Sequence, residues 1–144
     1  MATPKTFKST ASCISWDEDR SLTHVPRLTP ATVKMRLPDF NATLTTYYSM
    51  VYLPPQVEGE KAGSAQFTFS DYLEAEDFGG LSGTLITQGR GTFDASSFRV
   101  QGRFEIVPSA GTGSLGELFK VGGSGSFAAD EKDPKKVAYE FHTV

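Results

Sequence analysis

The sequence has few residues of the kinds that build disulfide or metal scaffolds. It contains one cysteine and two histidines in 144 residues. A single cysteine excludes an intramolecular disulfide and a cysteine-based metal cluster. A zinc site would need both histidines, which lie far apart in the sequence, together with carboxylates from elsewhere. We therefore predict no metal and no cofactor.

Long apolar runs and an excess of positive charge are also absent. No segment approaches the roughly 20 apolar residues of a membrane span, and the N-terminal stretch lacks the apolar run of a signal peptide. With 14 Lys and Arg against 17 Asp and Glu, the net charge is -3. This balance argues against a nucleic-acid partner and an anionic membrane surface. We expect a cytoplasmic protein, and the length fits one domain over residues 1–144.

Apolar and polar residues alternate along much of the chain, which predicts half-buried β-strands. Such segments occur at residues 6–17, 32–37, 42–53, 65–73, 84–93, 97–107, 124–128 and near the C-terminus. In "SFRVQGRFEIV", Phe98, Val100 and Phe104 are expected to share one face. Seven or eight long strands in a chain of this size favour a closed antiparallel eight-stranded barrel, because closure removes exposed edges. A β-sandwich is the alternative.

Glycine is concentrated in the later part of the chain, where all 14 glycines follow residue 58. Gly89, Gly91 and Gly102 lie within predicted strands and are expected at bulges or tight bends. The stretch "GTGSLG" matches the G-x-G-x-x-G pattern of phosphate loops, which requires a helix directly behind it. Here "ELFKVGG" leaves room for barely one helical turn, so a glycine-rich connection is predicted instead.

The strand "ATLTTYYSMVYL" places Leu44, Tyr48, Met50 and Tyr52 on one side. A phenol that points into a barrel must satisfy its hydroxyl group. A polar neighbour in the core could do so, which is the structural interpretation. The functional interpretation is a cavity in which the phenols bind or protonate a substrate oxygen.

The stretch "SWDEDRSL" holds the only tryptophan beside a run of charges. Trp16 and Glu18 share a side with Ile14. If Ile14 faces inward, Trp16 covers the barrel and Glu18 stands at its mouth, where an apolar cavity would raise the carboxyl pKa. The alternative is a tryptophan plug beside a solvated acidic turn. Gln88 could face inward as an orienting group or outward, and His24 is expected at the rim.

Other charged residues are expected on the outer face. Glu74 and Glu76 share a side of "YLEAED" and could serve acid–base chemistry, although a solvated strand end is the commoner arrangement. Arg99, Arg103 and Glu105 are predicted to pair with charges across neighbouring strands.

Four stretches occur in the order "SWDED", "YYSMVYLP", "SGTLITQGRGTF" and "FEIVPSAGTGSLGELFKVGGSGSF". By these, the chain resembles a domain-of-unknown-function family of small uncharacterised proteins. The resemblance covers roughly residues 10–128, and the segment around "VPSAGTGSLGEL" is its most specific part. Tyr47 stands where that family commonly has Glu, and Gly89 where His is common. The family in turn looks like the allene oxide cyclase barrel, an eight-stranded antiparallel barrel with an apolar cavity.

This resemblance implies a cofactor-independent isomerase or cyclase that acts on a small hydrophobic molecule held in the barrel. In this hypothesis Tyr48 and Tyr52 bind a substrate oxygen, Gln88 orients it, and Glu18 is the acid or base. The predicted substrate-binding residues are Trp16, Met50, Leu44, Phe104 and His24. Two alternatives remain open, a non-catalytic carrier of an apolar ligand and a packed structural barrel. The sequence leaves a homo-oligomer open.

Overall fold

The computed structural model describes residues 4–21, 28–54, 63–130, 132–133 and 135–144. Eight antiparallel strands follow one another in chain order and close into a barrel, with the last strand paired to the first. The strands are β1 (Thr6–Glu18), β2 (Leu28–Leu37), β3 (Ala42–Tyr52), β4 (Ala65–Phe78), β5 (Leu81–Asp94), β6 (Arg99–Ile106), β7 (Gly123–Ala129) and β8 (Lys136–Thr143). The predicted barrel is confirmed, and the β-sandwich alternative is wrong.

Buried and exposed residues alternate along the strands as the sequence pattern predicted. Along β4, residues from Ala65 to Ala75 are buried at every second position. The strands are longer than predicted at β2, β4 and β5. Phe98 is an exception, because it lies in the turn before β6 with a φ of 57° and is 58% exposed. The prediction that it shares the inner face with Phe104 is therefore wrong.

Aromatic rings that lie on interior glycines fill much of the barrel. A Cβ atom at Gly91 would stand 2.8 Å from the Phe67 ring, and one at Gly89 would stand 2.8 Å from Phe104 Cβ. The register of strand pairing does not shift at these glycines. The predicted bulges at Gly89, Gly91 and Gly102 are therefore wrong. Rings from neighbouring strands occupy the space beside Gly91 and Gly102, whereas a Cβ atom at Gly89 would meet the backbone of β6.

One end of the barrel is plugged by aromatic side chains. A 3₁₀ helix at Pro38–Phe40 and the short helix α1 (Gly113–Leu118) both cover this end. They bring Phe40 and Phe119 against Phe78, whose ring stacks on Phe40 at a centroid distance of 4.1 Å. Phe78 and Phe119 are almost wholly buried. We call this the plugged end.

The opposite end, where β1 and β3 finish, is called the Trp16 end. Trp16 is 50% exposed there, and Tyr52 is half-buried. Within the described ranges, no helix has the length and apolar character needed to cross a membrane.

Candidate functional site

A buried carboxylate lies inside the barrel at the middle of β4. Asp71 is only 3% exposed. It faces inward because it keeps the phase of the apolar positions Phe69 and Leu73 on its strand. Burial raises the pKa of the Asp71 carboxyl from 3.8 to about 6. A group with such a pKa gains and loses its proton close to neutral pH.

Asp71 is the centre of a row of three polar residues on adjacent strands. It pairs with Thr46 of β3 on one side and with Thr87 of β5 on the other. The Thr87 hydroxyl donates a 2.8 Å hydrogen bond to Oδ2 of Asp71. All three residues are almost wholly buried. We call them the Asp71 row.

The Asp71 row is not fully satisfied. Oδ1 of Asp71 and Oγ1 of Thr46 have no hydrogen-bond partner within the described part of the chain. The Thr46 hydroxyl is near enough to Asp71 to lower its pKa somewhat, but it lacks the geometry of a hydrogen bond. Most buried polar groups in proteins are paired, and an unpaired one is costly. The inner wall of the barrel thus presents oxygen atoms that can still accept a hydrogen bond.

Two phenols belong to the same interior region. Burial raises the pKa of Tyr48, and the charge of Asp71 adds to the effect. Burial likewise raises the pKa of Tyr139, with further contributions from Tyr48 and Asp71. The Tyr139 hydroxyl donates to Sδ of Met35 at 3.7 Å. Both phenols therefore stay protonated, and each has one hydrogen to donate to an oxygen atom, which for Tyr139 would replace the weak bond to Met35.

Glu18 stands at the Trp16 end, as predicted, but its chemistry differs from the prediction. It accepts hydrogen bonds from Tyr52 at 2.7 Å, from Trp16 at 2.9 Å and from Arg20 at 3.1 Å. Burial pushes the pKa of the Glu18 carboxyl up, but these bonds outweigh it, and the pKa is lowered. The expectation of a raised pKa at Glu18 is therefore wrong. Glu18 is an ionised anchor that holds Trp16 and Tyr52 together.

A bulge in β1 explains why Trp16 points inward although Ile14 does not. The pairing with β2 shifts between Cys13 and Ser15, and Ile14 lies in that shift, 59% exposed. Beyond the bulge, Trp16 pairs with the inward-facing Val33. Its ring then stacks on Tyr48 at a centroid distance of 6.2 Å. The condition that Ile14 faces inward is therefore not met, yet Trp16 covers the barrel.

The remaining predicted site residues fall into three groups. Met50, Leu44 and Phe104 are buried on the inner wall. Gln88 faces outward and is exposed, with its amide 3.5 Å from the Ser70 hydroxyl. Its predicted inward role as an orienting group is therefore wrong. His24 lies outside the described residues.

The outer-face predictions have mixed outcomes. Glu74 and Glu76 are exposed on β4. Arg99 lies opposite Asp94, as charge pairing predicts, but Arg103 lies opposite another arginine. Glu105 lies between Gln88 and Ser124. In the part of the chain that the structure describes, no three His, Cys, Asp or Glu side chains are arranged to hold a metal ion.

Sequence reasoning missed Asp71 and its row, although a signal was present. In "FTFSDYLEA", the aspartate falls at the same alternate positions as Phe67, Phe69 and Leu73. Alternate residues of a strand share one face, so this phase assigns Asp71 to the same face as the apolar residues. The partners Thr46 and Thr87 could be recognised only after the strand register was known, because they lie on other strands.

One protein-family model matches residues 7–142, which is nearly the whole chain, and its description is "Protein of unknown function (DUF3224)". No curated protein matches the sequence.

Proposed function

We propose that this chain, which belongs to the DUF3224 family of proteins of unknown function, is a cofactor-independent isomerase. It would move a proton within a small neutral apolar molecule. The observation that carries the proposal is the Asp71 row. It combines a wholly buried carboxyl group, a pKa of about 6 and unpaired oxygen atoms with an otherwise aromatic interior. Perturbed groups of this kind cluster at functional sites.

The surroundings of Asp71 favour a neutral, largely apolar substrate in this proposal. The inner wall is formed by rings and aliphatic side chains, so apolar carbon atoms are favoured there. A second anion next to Asp71 would be strongly disfavoured in this environment. A neutral ketone or epoxide fits, because its oxygen can accept hydrogen bonds from Tyr48 or Tyr139. Access would be from the Trp16 end, since Phe40, Phe78 and Phe119 close the other end.

The proposed reaction needs only the residues of this chain. The ionised Asp71 carboxylate takes a proton from the carbon next to a substrate carbonyl, and the C–H electron pair moves into an enolate. A phenol of Tyr48 or Tyr139 donates a hydrogen bond to the enolate oxygen. Asp71 then returns the proton to a different carbon atom, so the product is an isomer of the substrate. A pKa near the working pH suits a group that must both accept and donate a proton.

Conversion of β,γ-cyclohexenone to the conjugated enone tests this proposal. The wild-type protein is expected to catalyse the conversion, followed by the ultraviolet absorbance of the product. Asp71→Asn is expected to slow the reaction by about 100-fold or more, in the range of general acid–base effects. Glu74→Gln is the matched control, because Glu74 lies exposed on the same strand. Equal rates for the wild type and Asp71→Asn would contradict the proposal.

A second candidate is a packed barrel that works through its outer surface. The observation that favours it is the packing of the Phe67 ring on Gly91 and of the Phe127 ring on Gly102, which fills much of the interior. A substrate near Asp71 would have to displace rings such as Phe69. If β,γ-cyclohexenone at millimolar concentration neither reacts nor shifts the melting temperature, the packed barrel is supported. The allene oxide cyclase-like label, a cytoplasmic location and any homo-oligomer stay predictions.

A further inference from the structure

The outer face of strands β3 to β7 carries a groove of about 930 Å³. Two neighbouring cross-strand rows form most of its lining, and two glycines and two phenylalanines complete it. The first consists of Ser49, Thr68, Arg90, Arg103 and Ser126, and the second of Val51, Gln66, Thr92, Gln101 and Ala128. None of these ten outward positions is acidic, although Asp and Glu outnumber Lys and Arg by 17 to 14 in the chain. We call this surface the arginine groove.

The two arginines lie directly opposite each other on β5 and β6. Like charges at directly opposed positions of an antiparallel pair destabilise the sheet. The guanidinium groups of Arg90 and Arg103 form no ion pair or hydrogen bond with the described residues. Both arginines are exposed, so water screens part of this repulsion, and no described acidic side chain forms an ion pair that offsets the rest.

The nearest acidic side chains among the described residues do not neutralise the groove. Glu105 is on the same face of β6 as Arg103, but in the next row and without an ion pair to it. Glu140 lies opposite Ser126 on β8 and is paired with Lys8 at 3.2 Å. Asp94 lies opposite Arg99 at the far end of the strand pair. Counted over the residues that the structure describes, the centre of the groove therefore keeps a net positive charge.

We propose that the arginine groove binds a phosphate monoester of a small molecule. The Cβ atoms of directly opposed residues on paired strands are about 5 Å apart. One tetrahedral oxyanion can therefore lie between the two guanidinium groups. Each guanidinium offers a planar pair of N–H donors that matches phosphate oxygens. The flanking hydroxyls of Thr68 and Ser126 supply further donors in the same row. A doubly charged group relieves the repulsion between Arg90 and Arg103.

Binding of phenyl phosphate, measured by calorimetry, tests the site, with phenol and inorganic phosphate as companion probes. We expect phenyl phosphate to bind with a dissociation constant below about 1 mM, and phenol not to bind. Inorganic phosphate is expected to compete with phenyl phosphate, because both use the same charged group. Arg90→Gln and Arg103→Gln are each expected to weaken binding by about tenfold or more.

Arg99→Gln is the matched control. It removes the same charge from the same strand, but Arg99 is four residues from Arg103, roughly 13 Å along the strand. We expect this variant to change the affinity by less than about twofold, since surface charges at that distance are largely screened. Equal losses in Arg99→Gln and Arg103→Gln would show a general charge effect and overturn the proposal. Failure of phenyl phosphate to bind the wild type at millimolar concentration would also overturn it.

Thermal unfolding supplies an independent readout of the same pair. Without phosphate, Arg103→Gln is expected to raise the melting temperature by about 1–3 °C, because a repulsion is removed. Phenyl phosphate is expected to raise the melting temperature of the wild type but not that of this variant. If the probe raises both equally, the two arginines are not the site. These outcomes are separate from the interior chemistry of Asp71, which the proposed isomerase requires.

Discussion

The cost of burying Asp71 can be measured as a pH dependence of stability. Burial raises the pKa of this carboxyl from 3.8 to about 6. At about 1.4 kcal/mol per pH unit, this difference corresponds to about 3 kcal/mol. The folded state holds the proton more tightly than the unfolded state. The contribution of Asp71 to stability is therefore fully present below about pH 4 and is lost as the pH rises through about 6.

Asp71→Asn should remove this dependence, because asparagine has a similar shape and no titrating group. We expect the variant to match the wild type near pH 4 and to exceed its free energy of unfolding by about 3 kcal/mol above about pH 7. Thr87 can still donate its hydrogen bond to the amide oxygen. Urea unfolding followed by Trp16 fluorescence at several pH values between about 4 and 8 measures the difference.

The free energy of unfolding must be compared between variant and wild type at each pH, because other carboxyl groups change this free energy with pH in the opposite direction. Hydrogen bonds outweigh burial and lower the pKa of Glu18, so its stabilising contribution is lost as the pH falls. The exposed Glu74 provides the control, and Glu74→Gln is expected to stay within about 0.5 kcal/mol of the wild type. If the advantage of Asp71→Asn is the same at about pH 4 and about pH 8, Asp71 is not a buried, protonatable group.

Three further predictions concern the packing and the mouth of the barrel. Gly91→Ala should destabilise the protein by about 1–3 kcal/mol in urea titrations, because the new methyl group meets the Gln101 carbonyl oxygen and the Phe67 ring; unchanged stability would show that the packing at this point is loose. Phe119→Ala should cost about 3–5 kcal/mol by the same assay, since the ring is 1% exposed at the plugged end; a loss below about 1 kcal/mol would count against the plug. Glu18→Gln should alter Trp16 fluorescence while reducing turnover of β,γ-cyclohexenone by less than about tenfold; a loss as large as that of Asp71→Asn would make Glu18 the acid or base.

The fold could be predicted from the sequence because alternation is a local property of each strand. In strands such as β3 and β6, inner and outer residues alternate strictly. The closed order of the strands follows once sequential neighbours pair. The structure therefore confirms the eight-stranded barrel from patterns that need no long-range information.

The candidate site could be predicted only in part, because it depends on register and packing. Tyr48 and Met50 face inward as predicted, since no irregularity interrupts β3. The bulge at Ile14 cannot be read from the alternation of β1, since it changes which residues point inward. Gln88 faces outward because it is opposite Ser70 and Glu105, which are also outward.

The interior acid was missed for a different reason. The sequence draws attention to the charged run after Trp16, where acidic residues are conspicuous, and a lone aspartate within an apolar strand is not. Its raised pKa arises from burial among residues of several strands, which no single stretch of sequence contains. The opposed arginines of the groove were likewise hidden, because Arg90 and Arg103 lie on consecutive strands and face each other only in the register that β5 and β6 adopt.

The titration of the Asp71 carboxyl carbon by NMR tests the central claim most directly. Protein labelled with ¹³C at aspartate side chains would be titrated from about pH 3 to about pH 9, and the signal absent from Asp71→Asn identifies the residue. We predict a midpoint at about 6 for Asp71. A midpoint at or below about 4, the value of a solvated aspartate, would contradict a proton-exchanging carboxyl group inside the barrel.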